Sequence, residues 1–473
     1  MKFLKRTEVK LFFTIFLVYL FFLSDYGGNW MADSIIDSAM AFVDTGSFIT
    51  DDYIKAPQDN AFFKGHYYSG FAPGASFLVM PLYFIVKPFL NLLPETILGY
   101  PQLQMKVIIM NILATILLTI PASALLSVLI YRFLDNFTKD KKYKIFITFF
   151  FAFGTILFTY SIGFYRRPIA IFLTFLAFYL LYNIKYKKIK ESYKLVFLIG
   201  LILGFSIFIE YTMFITVGIL SLYFITFMKN KKLILFMLGL IIPIIALMGY
   251  HYYVFDNPFT TPYMHRVVEK SQTLISFSDV FRSLVPSLES TYGITLSFHR
   301  GLFVYMPILF LSLLGIILFF KNKSQHHFIE ISIILLIFLV YLWFNAQYKV
   351  WAAGCSFGPR FLIPMLPFLM IPLVYSFKKI NKKIIISMGI VSMFINLLPA
   401  IYGITGLWRG ICGSSNPLKE YLLLIPERGL TNYTLSLIKE RLYDLSILDI
   451  NIITIILLLI LTLIIVKIWK HKE

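Results

Sequence analysis

The chain has 473 residues, of which 59% are hydrophobic, 18% aromatic and only 14% charged. A soluble domain carries about 25% charged residues, so a water-soluble globular enzyme is excluded; so is a disordered chain, which would lack this much apolar surface. The 43 basic residues exceed the 24 acidic ones by 19, and apolar runs of about 20 residues recur along the chain, which together point to a polytopic membrane protein.

The first apolar run, Leu11–Leu23, follows Lys2, Lys5, Arg6 and Lys10. No small-residue cleavage site comes after it and more spans do, so it reads as a retained span with a cytoplasmic N-terminus. A long outer stretch, 24–106, comes next. Within it, Asp33 to Asp44 reads as a short helix closed by Gly46, with Ile36, Ala39, Met40 and Val43 as an apolar face, the pattern of a helix lying along the membrane surface. Phe71 to Leu93 is apolar enough to cross, but Pro73, Gly74, Pro81, Lys87 and Pro88 interrupt a regular helix. If it crossed, the turn holding Lys139, Lys141, Lys142 and Lys144 would lie outside, against the positive-inside rule. It therefore reads as re-entrant or interfacial, which is tolerated where protein or a water-filled cavity covers it.

Further spans are expected near Val107–Phe133, Ile145–Ser161, Pro168–Ile184, Leu195–Phe208, Tyr211–Phe227, Leu233–Val254, Leu302–Phe320, Phe328–Phe344, Leu362–Phe377, Ile384–Ile404 and Ile450–Val466. The expected fold is all-α and polytopic, a single integral membrane domain over 1–473 with about 12–13 transmembrane helices and juxtamembrane helices in the first outer loop. Nearly all of the basic surplus then falls on cytoplasmic turns, so charge records topology and gives no support for nucleic-acid binding. Inner turns are short. The outer stretches 24–106, 255–301, 347–361 and 405–449 are long, and long loops in a compact architecture are usually functional. The working face is expected outside, on a multi-pass protein of the cell membrane.

Seven aspartates, Asp25, Asp33, Asp37, Asp44, Asp51, Asp52 and Asp59, crowd the first outer loop. Asp33 and Asp37 stand at i, i+4 and repel each other, so a cation, a metal or a proton-bearing substrate should compensate them. The competing reading is a solvated acidic face with Asp33 as a helix N-cap. Basic groups abut the spans on the same side: Arg166-Arg167, His265-Arg266, His299-Arg300 and Arg360. Arginine so placed holds a phosphate through paired hydrogen bonds, although any single one is explained by snorkelling. Four such sites opposite an acidic loop favour a phosphate-bearing lipid. Glu210, between two apolar runs, is expensive if buried, so it is either paired or an exposed turn residue. Cys355 and Cys412 lie in outer loops, where a bridge can form. The histidines show no zinc spacing, and there is no phosphate-binding Gly-x-x-x-x-Gly-Lys loop, Gly-x-Gly-x-x-Gly helix start or Gly-x-Ser-x-Gly elbow.

Several strings resemble those of the GT-C membrane glycosyltransferases, the superfamily of the protein O-mannosyltransferases and the aminoarabinose transferases. They are Gly65-His66-Tyr67-Tyr68-Ser69-Gly70-Phe71-Ala72-Pro73-Gly74, Asn257-Pro258, Arg300-Gly301-Leu302-Phe303-Val304-Tyr305-Met306-Pro307, and the run from Gly354 through Gly358-Pro359-Arg360 to Pro364. The resemblance implies transfer of a sugar from a polyprenyl-phosphate donor to a protein, lipid or glycan acceptor on the outer face. It implies a catalytic carboxylate at the head of the first-loop helix, which matches Asp33, with Asp37 close behind. Relatives carry Lys-Pro where this chain has Phe71-Ala72-Pro73, which moves the expected phosphate ligand to Arg300, Arg360, Arg166 or Lys64. Asp52, Asp59, Glu210, His265 and Arg266 are further candidates; no cofactor is assigned, and a divalent metal stays open. Two other readings compete. A transporter or flippase for lipid-linked sugars would set its charges within spans, and a polysaccharide polymerase would lack the acidic helix after the first span.

Overall fold

The computed structural model describes residues 6–24, 29–53, 59–97, 99–228, 231–266, 285–322, 326–403, 414–429, 431–432, 434–435 and 446–470. Residues 405–413 and 436–445 of the expected outer stretch 405–449, and 267–284 within 255–301, lie outside these residues. The described chain is almost entirely helical. Six helices are long and apolar enough to cross a bilayer: those within Gln102–Asn136, Arg166–Lys185, Lys231–Phe255, Phe328–Ala346, Lys382–Tyr402 and Leu448–Lys470. A seventh is the pair Arg360–Leu369 and Leu373–Lys379 if it counts as one span, bent by 54° where Pro367 and Pro372 interrupt the ladder. Four shorter apolar helices, Gly74–Leu90, Tyr193–Ile209, Tyr211–Ile225 and Ile308–Lys321, add to these. The expected spans are thus divided between full-length and short helices. Leu302–Phe320 breaks at Pro307 into Leu302–Tyr305 and Ile308–Lys321, because the residue before a proline is pushed out of the α region. Ile145–Ser161 breaks at Thr155, which is extended (φ −121°, ψ 159°).

The chain divides into two compact units. One comprises Met1–Asp25, Leu118–Gly163 and Ser283–Glu473. In it α1 (Arg6–Phe21) ties its two ends to different partners. At its start, buried Glu8 pairs with Arg132 (3.2 Å) and Lys10 donates to the Trp469 carbonyl. Nearby turns join the same end through Lys144 with Asp135 and Lys378 with the Phe137 carbonyl. At its finish, Phe21 O accepts from Asn432 and Ser24 N–H donates to Ile162 O. Basic turns therefore gather at one end of this unit.

The other unit comprises Tyr26–Leu117 and Phe164–Arg282. Its α2 (Trp30–Thr45) is capped by the Asn29 side chain on Ala32 N–H and closed by Gly46 at φ +75°. Gly46 ends the helix as expected, but Asn29, not Asp33, is the N-cap, since Asp33 lies within the first turn. Every residue from Met31 to Ala41 except Asp33 is buried, so α2 is embedded in protein and does not present one solvated face. A hairpin follows, β1 (Asn60–Phe63) with β2 (His66–Ser69). Its two turn residues, Lys64 and Gly65, both have positive φ, the turn that matches strand twist. α3 (Gly74–Leu90) is one helix despite Pro81 and Pro88. After it come α4 (Gln102–Ala114), α8 (Arg166–Lys185), α9 (Tyr193–Ile209), α10 (Phe214–Ile225) and α11 (Lys231–Phe255), with α5 to α7 (Ile120–Phe133, Lys141–Gly154, Leu157–Ser161) in the first unit. α9 and α11 meet backbone to backbone. A Cβ on Gly200 would sit 2.1 Å from Phe236 O, and one on Gly239 would sit 2.2 Å from Phe197 O. Small residues allow this close approach where lipid supplies no hydrophobic drive.

Candidate active site

The second unit brings together residues that the sequence scatters over 200 positions. β2 runs through Ser69 into Gly70 and Phe71. Ser34 of α2 reaches the Ser69 hydroxyl (3.1 Å), accepts from Gly70 N–H (3.4 Å) and donates to the Asp59 carbonyl (3.4 Å). Gly70 has no room for a side chain, since a Cβ would lie 2.2 Å from Asp59 O. The hairpin, α2 and the start of α3 are thereby fixed against one another, and Phe71 is held 5% exposed at their junction.

Two guanidinium groups lie over the Phe71 ring, Arg166 at 4.5 Å and Arg266 at 4.9 Å from its centroid. Arg166 opens α8. It is 1% exposed, contacts the Glu210 carboxylate through Nε (2.9 Å) and donates from Nη2 to the Tyr263 hydroxyl (3.1 Å). Arg167 reaches the same Glu210 oxygen at 3.3 Å, and Thr212 donates to the other. Arg266 lies 3.6 Å from Asp59 and 4.6 Å from the Tyr263 ring. Burial alone would raise the Glu210 carboxyl, but the charges of Arg166 and Arg167 and the Thr212 hydrogen bonds outweigh it and hold the group below the usual carboxylate range. Glu210 is therefore the paired, ionised residue that its cost in an apolar setting demands.

This cluster carries three arginines, with Glu210 and Asp59 as carboxylates against them. Arg166 Nη1 and Arg266 Nε are buried and have no hydrogen-bond partner among the described residues. An unpaired buried donor costs about 1–3 kcal/mol, more when charged. Two such donors on neighbouring guanidinium groups make a place for an anion.

The other expected residues stand as follows. Asp33 is half-buried in the first turn of α2, and Asp37 is buried one turn on. Asp44, at the end of the same helix, has its cation. Lys87 of α3 lies 2.7 Å away, and Tyr53 and Tyr83 donate to it at 2.7 and 3.0 Å. Burial would raise the Asp44 carboxyl, but these hydrogen bonds and the Lys87 charge bring it below the usual range. Asp52 is exposed. Lys64 is exposed at the hairpin tip and pairs with Asp256. His265 stacks on Phe255 (4.6 Å, 3°), and its burial lowers its pKa.

Arg300 and Arg360 belong to the first unit. Arg300 is buried and spends three nitrogens on backbone carbonyls, those of Ala352, His299 and Gly354 (2.9–3.0 Å), which makes it a staple for the loop around Gly354. Arg360 lies over the Phe361 ring. In that same loop Cys355 is disulfide-bonded, and Cys412, the other cysteine of the sequence, lies outside the described residues. Among the described residues, no group of three or more His, Cys, Asp or Glu side chains is arranged to hold a metal.

Sequence reasoning named Arg166, Arg266, Asp59 and Glu210 separately but not what joins them. Phe71 appeared as the place where a lysine was missing, and Tyr263 was passed over as one aromatic residue among many. The signal was present in Tyr263-Met264-His265-Arg266, where a hydroxyl and a guanidinium stand three residues apart.

No family model matches the chain, and no curated protein sequence does. Among solved structures, the chain is similar to ArnT from Cupriavidus metallidurans in the apo state (TM-score 0.48, 10% identity, 91% of this chain and 70% of that one). It is also similar to the same ArnT bound to undecaprenyl phosphate (TM-score 0.46, 10% identity, 92% and 72%). A third is the apo oligosaccharyltransferase of Archaeoglobus fulgidus (TM-score 0.47, 12% identity, 93% and 59%). These proteins are members of the GT-C superfamily that the sequence strings resemble; similarity at this level says nothing about which residues act.

Proposed function

We propose that the chain is a GT-C-type glycosyltransferase that moves a sugar from a polyprenyl-phosphate donor to an acceptor at the outer face of the cell membrane. The observation that carries this reading is the Arg166–Arg266 pair over buried Phe71, with two unpaired N–H donors. An anion at that point, at the ends of apolar helices, suits a phosphate delivered through the bilayer. The sugar comes from the resemblance of the Gly65–Gly74 string and its companions. Asp33 is the proposed general base, with Asp37 behind it, and Arg166 and Arg266 are the phosphate ligands. Arg300 and Lys64 are less suited because their donors are engaged elsewhere.

The chemistry follows from these roles. The acceptor hydroxyl attacks the anomeric carbon as Asp33 takes its proton, help worth roughly 10²–10⁴-fold. The carbon–oxygen bond to the phosphate breaks and its electron pair leaves with the phosphate. Fixed guanidinium groups stabilise that growing charge without reorganising. A single displacement inverts the anomeric centre. The charged residues favour this over a transporter, because Arg166 and Glu210 stand at helix ends and not in mid-span.

The test is transfer from a polyprenyl-phosphate sugar in membranes containing the wild-type chain, Asp33→Asn or Asp37→Asn. Turnover should collapse in Asp33→Asn while the protein still binds the lipid. If both variants keep full activity, the carboxylate assignment is wrong.

A further inference from the structure

A second buried pair adjoins the arginine cluster. Tyr211 follows Glu210 in sequence, and its ring lies 6.0 Å from that of Tyr263, the partner of Arg166. The Tyr211 hydroxyl is 2.8 Å from His251 Nε2. His251 is 4% exposed on α11 and makes a further hydrogen bond to the backbone of Pro258. Proline has no N–H, so Pro258 offers only its carbonyl. With Nε2 facing Tyr211, Nδ1 carries the proton and donates it to Pro258. Nε2 of the neutral ring must then accept, and Tyr211 spends its one proton on His251. What remains on the Tyr211 oxygen is acceptor capacity alone.

A buried histidine in a membrane-crossing helix is costly and is a functional candidate with its partner named. Here the pair fixes the polarity of one oxygen beside the anion site. Tyr211 is half-buried as a residue, and any ligand group that meets its oxygen faces that acceptor. That group must donate a hydrogen bond. An ammonium also donates, but the Arg166 guanidinium, with which Tyr211 interacts electrostatically, disfavours it.

We propose that Tyr211, its proton committed to His251, is an acceptor-only contact for a hydroxyl of the donor sugar, so that the site selects a neutral polyhydroxylated sugar over its deoxy or ammonium-bearing counterpart. This rests on the reading of Arg166 as the phosphate ligand and specifies which sugars that site takes. An acceptor left unpaired, or facing a like-charge neighbourhood, weakens binding by about tenfold.

The experiment is direct binding, without turnover, to detergent-solubilised full chain. The probes are farnesyl phosphate, farnesyl-phosphate hexoses, and panels of their monodeoxy, monoamino and monoketo analogues. In the wild type, at least one position should show a loss of about tenfold when hydroxyl is replaced by hydrogen or by ammonium. Tyr211→Phe should erase that loss while binding farnesyl phosphate as before, which also reports that it is folded. His251→Phe frees the Tyr211 proton and should let a keto group be accepted at the same position, a readout that stands if Tyr211→Phe does not fold. A wild type indifferent to every replacement, or a preference that persists in Tyr211→Phe, overturns the inference and leaves the lipid-phosphate reading intact. Failure of the wild type to bind farnesyl phosphate overturns both.

Discussion

Glu210 binds two arginines with one carboxylate, and all three are nearly dry. Removing one partner of such a group strands the other, at a cost of about 3–5 kcal/mol, whereas removing opposite charges together is milder. Glu210→Gln is therefore expected to lower the thermal midpoint in detergent sharply. Glu210→Gln combined with Arg167→Gln should recover part of the loss while keeping Arg166 for the anion. A midpoint unmoved by Glu210→Gln would mean that the three groups are not mutually dependent. Asp44 gives a pH signature, because its partners lower its pKa in the fold. The stabilisation is then complete above the unfolded carboxylate value near ~3.9 and is lost as pH falls through the lower folded value. Wild-type stability should decline on acidification below about pH 4, and Asp44→Asn should be less stable at neutral pH and flatter over that window. Parallel profiles for the two proteins would remove Asp44 from the clasp between α2 and α3. The sequence showed that an acidic helix needs compensation. It could not show that the cation is Lys87, because Lys87 was counted as an interruption of an apolar stretch and is, in the fold, the last-turn residue of α3.

Helix packing explains where sequence reading worked and where it failed. Gly46 was recognisable as a terminator because a left-handed position at a helix end selects glycine. The prolines of α3 were misread as breaks. Proline removes one internal hydrogen bond, and an apolar helix bends around it and continues, as Pro81 and Pro88 show. Conversely, Pro307 does break a run that hydropathy alone joins. The α9–α11 contact went unread although Gly200 and Gly204 stand at i, i+4 in an apolar run, a spacing that lets helices approach closely, because that spacing does not say which backbone comes close. Leu240 O would stand 2.3 Å from a Cβ on Gly204, and the neighbour that must yield is backbone. Gly200→Ala and Gly239→Ala should each destabilise the solubilised protein by about 1–3 kcal/mol, the scale of overpacking, whereas alanine at Gly218, where a Cβ meets nothing within 4 Å, should be neutral. Equal tolerance at all three positions would contradict the close approach.

At the scale of the whole chain, each unit carries its own polarity. In the second, α8 begins with buried Arg166 and ends at Lys185, whose Nζ lies over the Tyr223 ring. Its 20 residues span about 30 Å, the thickness of the hydrocarbon core. The arginine cluster and the lysine turns of that unit therefore belong at opposite faces. In the first unit, the basic turns around Lys10, Arg132, Lys144 and Lys378 collect at the end where α1 starts. The positive-inside rule predicts a cytoplasmic position for the lysine-rich end of each unit, and with it an outer position for Asp33, Phe71 and Arg166. The prediction is double-sided. A reporter fused after Lys142 should read cytoplasmic, and one after Lys188 should do the same. On a background with Cys355 and Cys412 replaced by serine, Asp52→Cys, exposed near the hairpin, should react with a membrane-impermeant maleimide in intact cells. Cytoplasmic fusions without labelling at position 52 would separate the acidic helix from the outer face. Since a donor crossing to the exterior could not then meet Asp33, that single result would end the proposed chemistry even with the fold intact.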